Sequence, residues 1–364
     1  MGGNDIWTWR KAYSSSGRPY WVCDLPMPRI HDYFKDCVIY LYPSEDHANE
    51  GERIGGSGFL VNVPVDSEPT LSVTFAVTNK HVIRKGNSPV IRLNTKDGSV
   101  AIVPFTKDHW IDHPDGDDLA IAPFQLDLQA HKFSVIPRHN LISKAIIAQQ
   151  DIGLGDDVFI LGRFINHEGR QQNTPSIRFG NIAQMPGDKI MQDTGFEQES
   201  FLVEAKSIGG YSGSPVFVHL APLSARPQKN DPHATPLVVP FPGIGPWLLG
   251  IDWGHLTSWE PVMDDTGHPI RQGWKVNANT GMMGVVPAWK LEEMLRTEKV
   301  KEFVKTQEDG YKKKIAGAVG ATDSAPATQS TVGKKKSAKN PHHKEDFNHL
   351  LRAAVRGKKS TGKT

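Results

Sequence analysis

Residues 207–217 read SIGGYSGSPVF. Two serines, Ser212 and Ser214, stand two positions apart, fenced by glycines and closed by Pro215. Glycine and serine are ordinary turn residues. Pro215 fits the first position of a strand, where it owes the ladder no hydrogen bond. The stretch therefore reads as a tight turn running into an apolar strand. Whether it also carries chemistry depends on the rest of the chain, because a serine hydroxyl is a weak nucleophile. It needs a base for its proton, a group to orient that base, and donors for an oxyanion.

Upstream, the chain is a series of short apolar runs: CVIYLYP, GSGFLVNV, LSVTFAVTN, SPVIRLN, VAIVPF and LAIAPF. They are rich in Val, Ile, Phe and Leu, with turn residues between them. A less regular stretch covers 128–150. A second series then starts with DDVFILGRF, SIRFGNIAQM and SFLVEA, and runs through SPVFVHL and PWLLGIDWG to GMMGVVP. No helical pattern interrupts either series. The expectation is an all-β protein with two successive antiparallel barrels or sandwiches rather than a βαβ fold. The 34 glycines and 26 prolines agree with many strands joined by turns. Residues 287–305, PAWKLEEMLRTEKVKEFVK, differ. Pro287 suits a helix first turn, and Leu291, Met294 and Leu295 share one face, so a C-terminal helix is expected.

A base and its orienting group belong at strand ends upstream of Ser212. In FAVTNKHVI an apolar strand runs into a polar turn that carries His81. In DGDDLAIAPF, Asp118 directly precedes an apolar strand, while Asp117, one step earlier, faces the other way. Each is an ordinary turn residue when taken alone. Together, the order His81, Asp118, Ser212 matches one of the three chain orders in which serine triads occur.

With AVTNKHVI, GSGFLV, DLAIAPF and GYSGSPVF together, the chain resembles the trypsin-like serine peptidases, nearest their HtrA-type branch, over roughly residues 31–300. The resemblance implies a chymotrypsin-like pair of six-stranded antiparallel barrels. It implies Ser212 as nucleophile, His81 as base, Asp118 as orienting acid, and the amides of Gly210 and Ser212 as oxyanion hole. It places the substrate pocket near Lys206 and Ser207, with one wall from Asp252, Trp253 and Gly254. The substrate would be a polypeptide, and no metal or other cofactor is needed. The chain departs from the family in two ways. Tyr211 stands where cleavage-activated members carry an aspartate, so activation by a new N-terminus is not expected. The segment after the protease is too short for a PDZ domain. The alternative reading is a catalytically silent, protease-like binding or regulatory module.

These motifs divide the chain into an N-terminal strap (1–30), a first barrel (31–127), an inter-barrel linker (128–150), and a second barrel with its helix (151–308). A flexible linker (309–343) and a short amphipathic helix with a basic end (344–364) follow. Charge is split the same way. Residues 1–310 hold 29 Lys and Arg against 37 Asp and Glu, and residues 311–364 hold 13 against 3. Residues 344–357 place Phe347, Leu350, Leu351, Ala354 and Val355 on one helical face, which suits docking on a protein partner or on the acidic protease body. The tail lacks the aromatic interleaving that single-stranded nucleic acid asks for. No apolar run reaches the roughly 18 residues of a membrane span, and the start has no signal-peptide core. A cytoplasmic protein is expected, with Cys23 and Cys37 unbridged. The terminal GKKSTGKT satisfies a P-loop pattern by letter only, because no strand precedes it and no helix follows.

Overall fold

The computed structural model describes residues 9–13, 19–23, 30–53, 55–65, 67–163, 170–192, 195–205, 210–220, 225–226, 237–238, 246–271 and 273–322. The segment 344–357 lies outside them, as does the P-loop-like end. β1 (Trp9–Tyr13) and β2 (Pro19–Cys23) form an antiparallel hairpin.

Between Asp32 and Gln150 the chain builds one large sheet. Its strands are β3 (Val38–Tyr42), β4 (Gly56–Val65), β5 (Glu68–Thr78), β6 (Val90–Asn94), β7 (Val100–Val103), β8 (Ile111–Asp112) and β9 (Ala120–Phe124). They are ordered β7-β6-β3-β4-β5-β9-β8, and β10 (Ile136–Pro137) adds in parallel to β4. Helices α1 (Asp32–Lys35), α2 (Glu45–Glu50), α3 (Lys80–Arg84) and α4 (Lys144–Gln150) sit at its connections.

β3 and β9 are buried at all five positions. Alternation along a strand explains why. Val38, Tyr40 and Tyr42 enter one core, together with Phe59, Phe75 and Ile121. Ile39 and Leu41 enter another, with Leu60, Ile91 and Trp110. The first of these cores continues into the second half of the molecule, through Phe159, Val203, Phe217 and Leu248.

That second half is a closed six-stranded barrel. It runs β11 (Asp157–Gly162), β12 (Ser176–Gln184), β15 (Phe201–Glu204), β20 (Lys275–Pro287), β19 (Trp247–Pro261) and β16 (Pro215–Val218), back to β11. Two small ribbons lie outside it, β13 (Ile190–Met191) with β14 (Glu197–Gln198), and β17 (Ala225–Arg226) with β18 (Leu237–Val238). α5 (Ala288–Leu295) leaves the barrel and buries Trp289, Leu291, Met294 and Leu295. α6 (Glu298–Thr322) then packs back on the first sheet, with Phe303 edge-on to Phe75. No helix among the described residues is long and apolar enough to cross a membrane.

Three expectations need correction. The first half is an open sheet and not a closed six-stranded barrel. β7, with four residues, and β8, with two, lie at opposite ends of the sheet and do not pair. The first strand series is interrupted by α2 and α3, whose six and five residues are too few for a 3.6-residue period to stand out. The helical C-terminal region continues to Thr322, past residue 309, in place of the start of the expected flexible linker. Glu308 there binds both Ser67 and Lys312, which ties this stretch of helix to the β4–β5 turn.

Candidate active site

β5 ends at Thr78, and α3 begins two residues later. His81 is the second residue of that helix, so its backbone N–H has no helical acceptor. Asp118, two residues before β9, supplies one. The His81 N–H donates to Asp118 Oδ1 at 2.9 Å, and His81 Nδ1 lies 2.6 Å from Oδ2. The Asp118 side chain is 7% exposed and that of His81 30%. The carboxylate is thus nearly dry, while one edge of the imidazole is open. Asn79 Nδ2 donates to the Asp118 carbonyl at 2.9 Å. Asp118 is held by its side chain and its main chain to the same short segment.

The turn with Ser212 comes from the other half of the molecule. Gly210 and Gly213 bracket it at φ of +92° and +87°, a region that other residues enter only with strain. A side chain on Gly213 would also collide with the Ser57 carbonyl oxygen and the Thr78 hydroxyl. The Ser57 N–H donates to the Ser212 carbonyl at 2.8 Å, and Ser57 Oγ donates to the Gly210 carbonyl at 2.9 Å. At Gly56, an added Cβ would lie 2.9 Å from both the Ser212 oxygen and Val82 Cγ2. The Ser212 turn and the helix that carries His81 therefore meet across β4, with only glycine thin enough between them. On the barrel side, the Gly213 N–H donates to the Asp252 carbonyl at 2.8 Å. Tyr211 is fully buried, its hydroxyl bonded to Ser176 and to Arg178 Nε. The buried Ser214 hydroxyl has no partner among the described residues.

The residues expected to line the pocket divide. Lys206 and Ser207 lie outside the described residues. Asp252 is fully buried, and its Oδ1 accepts the Gly254 N–H at 2.8 Å. Trp253 is half-buried. Its indole N–H donates to Ser200 Oγ at 2.9 Å, and its ring covers Gly284 so closely that no Cβ would fit there.

Asp117 and Asp118 lie in the turn before β9, outside the strand whose alternation would separate them, and Asp117 meets groups other than His81. It is buried, and its carboxylate meets Gln198, His113 and Lys290. Burial alone would lower the Lys290 ammonium. The nearby carboxylates of Asp117, Glu293 and Glu199 outweigh it and hold the group above the ordinary lysine range. His113, Asp115 and Glu293 could together present metal-ligand atoms. Lys290 Nζ already stands 3.3 Å from Glu293, so a cation is built in at that place.

Sequence reasoning missed Ser57, Gln198 and Lys290. Ser57 lies inside GSGFLV, a motif read only as a strand. Gln198 belongs to a two-residue strand with no periodicity to announce it. Lys290 reads as one more exposed helix lysine.

Residues 56–220 match the family described as the trypsin-like peptidase domain. No curated protein matches the chain. Among solved structures, the chain is similar to the MamO protease domain from Magnetospirillum magneticum. The identity is 15%, over 73% of this chain and 98% of that one, with a TM-score of 0.43. It is similar to Deg5 at 18% identity, over 52% of this chain and 81% of that one, with a TM-score of 0.34. It is also similar to the HtrA-type protease AlgW with decapeptide, at 14% identity over 72% and 64%, with a TM-score of 0.34. The matched span takes in His81, Asp118 and Ser212 together, and over residues 56–220 the chain is similar to the trypsin-like peptidase domain.

Proposed function

We propose that the chain is a serine endopeptidase. The observation that carries this reading is the paired contact of Asp118 with both the backbone and the ring of His81. A carboxylate on Nδ1 fixes the tautomer that leaves Nε2 free to accept a proton, and it stabilises the imidazolium that results. Ser212, on the turn that meets the His81 helix at Gly56, is the nucleophile.

In this mechanism Ser212 Oγ attacks the peptide carbonyl as His81 Nε2 takes its proton. The amides of Gly210 and Ser212 receive the developing oxyanion. The positive φ of Gly210 suits a backbone turned tightly for close approach. His81 then passes the proton to the leaving amine, and an acyl-enzyme remains. Water, deprotonated by the same imidazole, attacks the ester and releases Ser212. Every step uses groups of this chain, with no metal or other cofactor.

The resemblance assigns the pocket base to Lys206 and Ser207 and one wall to Asp252, Trp253 and Gly254. Lys206 at the base disfavours a cationic side chain, so cleavage after Arg or Lys is not the preference. Profiling on a peptide library tests both parts. The wild type should cleave and Ser212→Ala should not. Cleavage focused on Arg would overturn the pocket assignment, and equal cleavage by both proteins would overturn the nucleophile.

A further inference from the structure

Directly behind Asp118 lies a fully buried glutamine, Gln198, from the β13–β14 ribbon of the second half. Its carboxamide meets the Asp117–Asp118 pair with both ends. Oε1 accepts the Asp118 N–H at 2.9 Å, and Nε2 donates to Asp117 Oδ1 at 2.8 Å. The second hydrogen on Nε2 goes to the Glu199 carbonyl at 3.1 Å. We propose that Gln198 is a positioning residue: by gripping Asp117 and Asp118 from the opposite half of the molecule, it sets where the Asp118 carboxylate meets His81. This inference rests on the peptidase reading above.

The chemistry of the side chain supports the assignment. Asp117 and Asp118 precede β9 and offer different groups to Gln198, a main-chain N–H on Asp118 and a carboxylate on Asp117. A group that holds both must accept from the main chain of one and donate to the side chain of the other. A carboxamide of glutamine length does this at a single end. Glutamate keeps the acceptor but loses the donor, and methionine keeps the length and loses both.

The contacts extend further in two directions. Asp117 is also engaged by His113 at 3.3 Å and by Lys290 at 3.4 Å, so the anchor of the grip is itself buried and charge-paired. On the other side, Ser200 Oγ donates to the Gln198 carbonyl at 3.3 Å and accepts the Trp253 indole N–H. Trp253 is the proposed pocket wall. Gln198 thus stands in a chain of three hydrogen bonds from the orienting acid to that wall, although it touches neither the imidazole nor the substrate.

Displacement of a catalytic carboxylate by about 1 Å can cost on the order of 100-fold in rate. Gln198→Met should therefore lower kcat by roughly 10- to 100-fold with KM within about twofold. Gln198→Glu should do the same, because its carboxylate faces that of Asp117. The double variant Gln198→Glu/Asp117→Asn reverses donor and acceptor, since the carboxamide introduced at position 117 can donate to the carboxylate introduced at position 198. It should return kcat to within about threefold of wild type.

A second readout does not need turnover. In a Ser212→Ala background, the proton NMR resonance of His81 Nδ1–H should be far downfield. It should move upfield and exchange faster with water when Gln198→Met is added. An unmoved resonance, a kcat for Gln198→Met within about twofold of wild type, or a double variant no better than Gln198→Glu would each overturn the proposal. If Gln198→Met does not fold, judged by circular dichroism, the comparison of the Glu variant with the double variant decides. If the wild-type protein hydrolyses no peptide, the peptidase reading fails, while the resonance still reports whether Gln198 positions Asp118.

Discussion

Asp118 holds His81 twice, with a different oxygen each time. Oδ1 takes the backbone N–H at 2.9 Å, and Oδ2 takes ring Nδ1 at 2.6 Å. One carboxylate thus fixes both where the imidazole is attached and how it is turned. Asp118→Asn separates these roles. Asn can still accept the backbone N–H, but its NH2 then faces Nδ1 and forces the wrong tautomer. Peptide hydrolysis should fall by about 10⁴, with little change in the thermal midpoint. Asp117→Asn should cost about tenfold or less, since its amide oxygen still accepts from Gln198. Steady-state kinetics of the two variants in parallel check this. Equal losses would show that the strand register around Asp118 is misassigned.

The two serines of the turn should separate cleanly. Ser212→Ala should abolish hydrolysis, a loss on the order of 10⁶ in kcat. Ser214 is different, because its buried hydroxyl lacks a partner among the described residues. Ser214→Ala keeps the Cβ and removes a polar group that gains nothing from burial. It should leave kcat within about twofold and raise stability by up to about 1 kcal/mol. Urea denaturation together with kinetics measures both. Loss of activity in Ser214→Ala would mean that the wrong serine has been chosen.

Gly213 is the least replaceable residue of the turn. At φ +87° it has no room for a side chain, with the Ser57 carbonyl and Thr78 hydroxyl in the way. Gly213→Ala should destabilise by more than about 3 kcal/mol, since backbone strain and a clash against main chain add. Denaturant titration gives the value. A cost under about 1 kcal/mol would show that the turn has another conformation.

These residues also show what the sequence makes legible. The strand series can be read because Val, Ile and Phe runs such as VIYLY face a core on each side. Closure of the first barrel cannot be read, because it depends on whether the short edge strands β7 and β8 meet. His81, Asp118 and Ser212 are readable from their strand-end positions and chain order, although each alone is an ordinary turn residue. Gln198 is not. Its role comes from a contact across 80 positions between a buried carboxamide and a backbone N–H, and no local pattern encodes it. Asp117 illustrates the same limit. It sits in the turn before β9, where strand alternation does not apply, and its partners on a distant ribbon and helix emerge only from packing.

The contact of Glu292 on α5 with Arg138 should weaken in acid. Burial would raise the Glu292 carboxyl. Hydrogen bonds and charge from Arg138 and Arg296 prevail and hold it below the ordinary glutamate value. A carboxyl depressed in the folded state contributes stability above its unfolded pKa of about 4.3. That contribution disappears as pH falls through the lower folded value. The thermal midpoint of Glu292→Gln should therefore lie below wild type at neutral pH, and the gap should close toward pH of about 3. Midpoints measured across this range test it. A gap that widens on acidification would contradict the assigned shift.

The most direct test of the central claim is covalent. A fluorophosphonate reacts with a serine only when a base and an oxyanion hole activate it. Intact-mass analysis should show wild type gaining one phosphonyl group, mapped by peptide sequencing to Ser212. His81→Ala and Ser212→Ala should gain none, while Ser214→Ala should label like wild type. A folded wild-type protein that takes up no label, or that takes it up at another residue, would contradict the account.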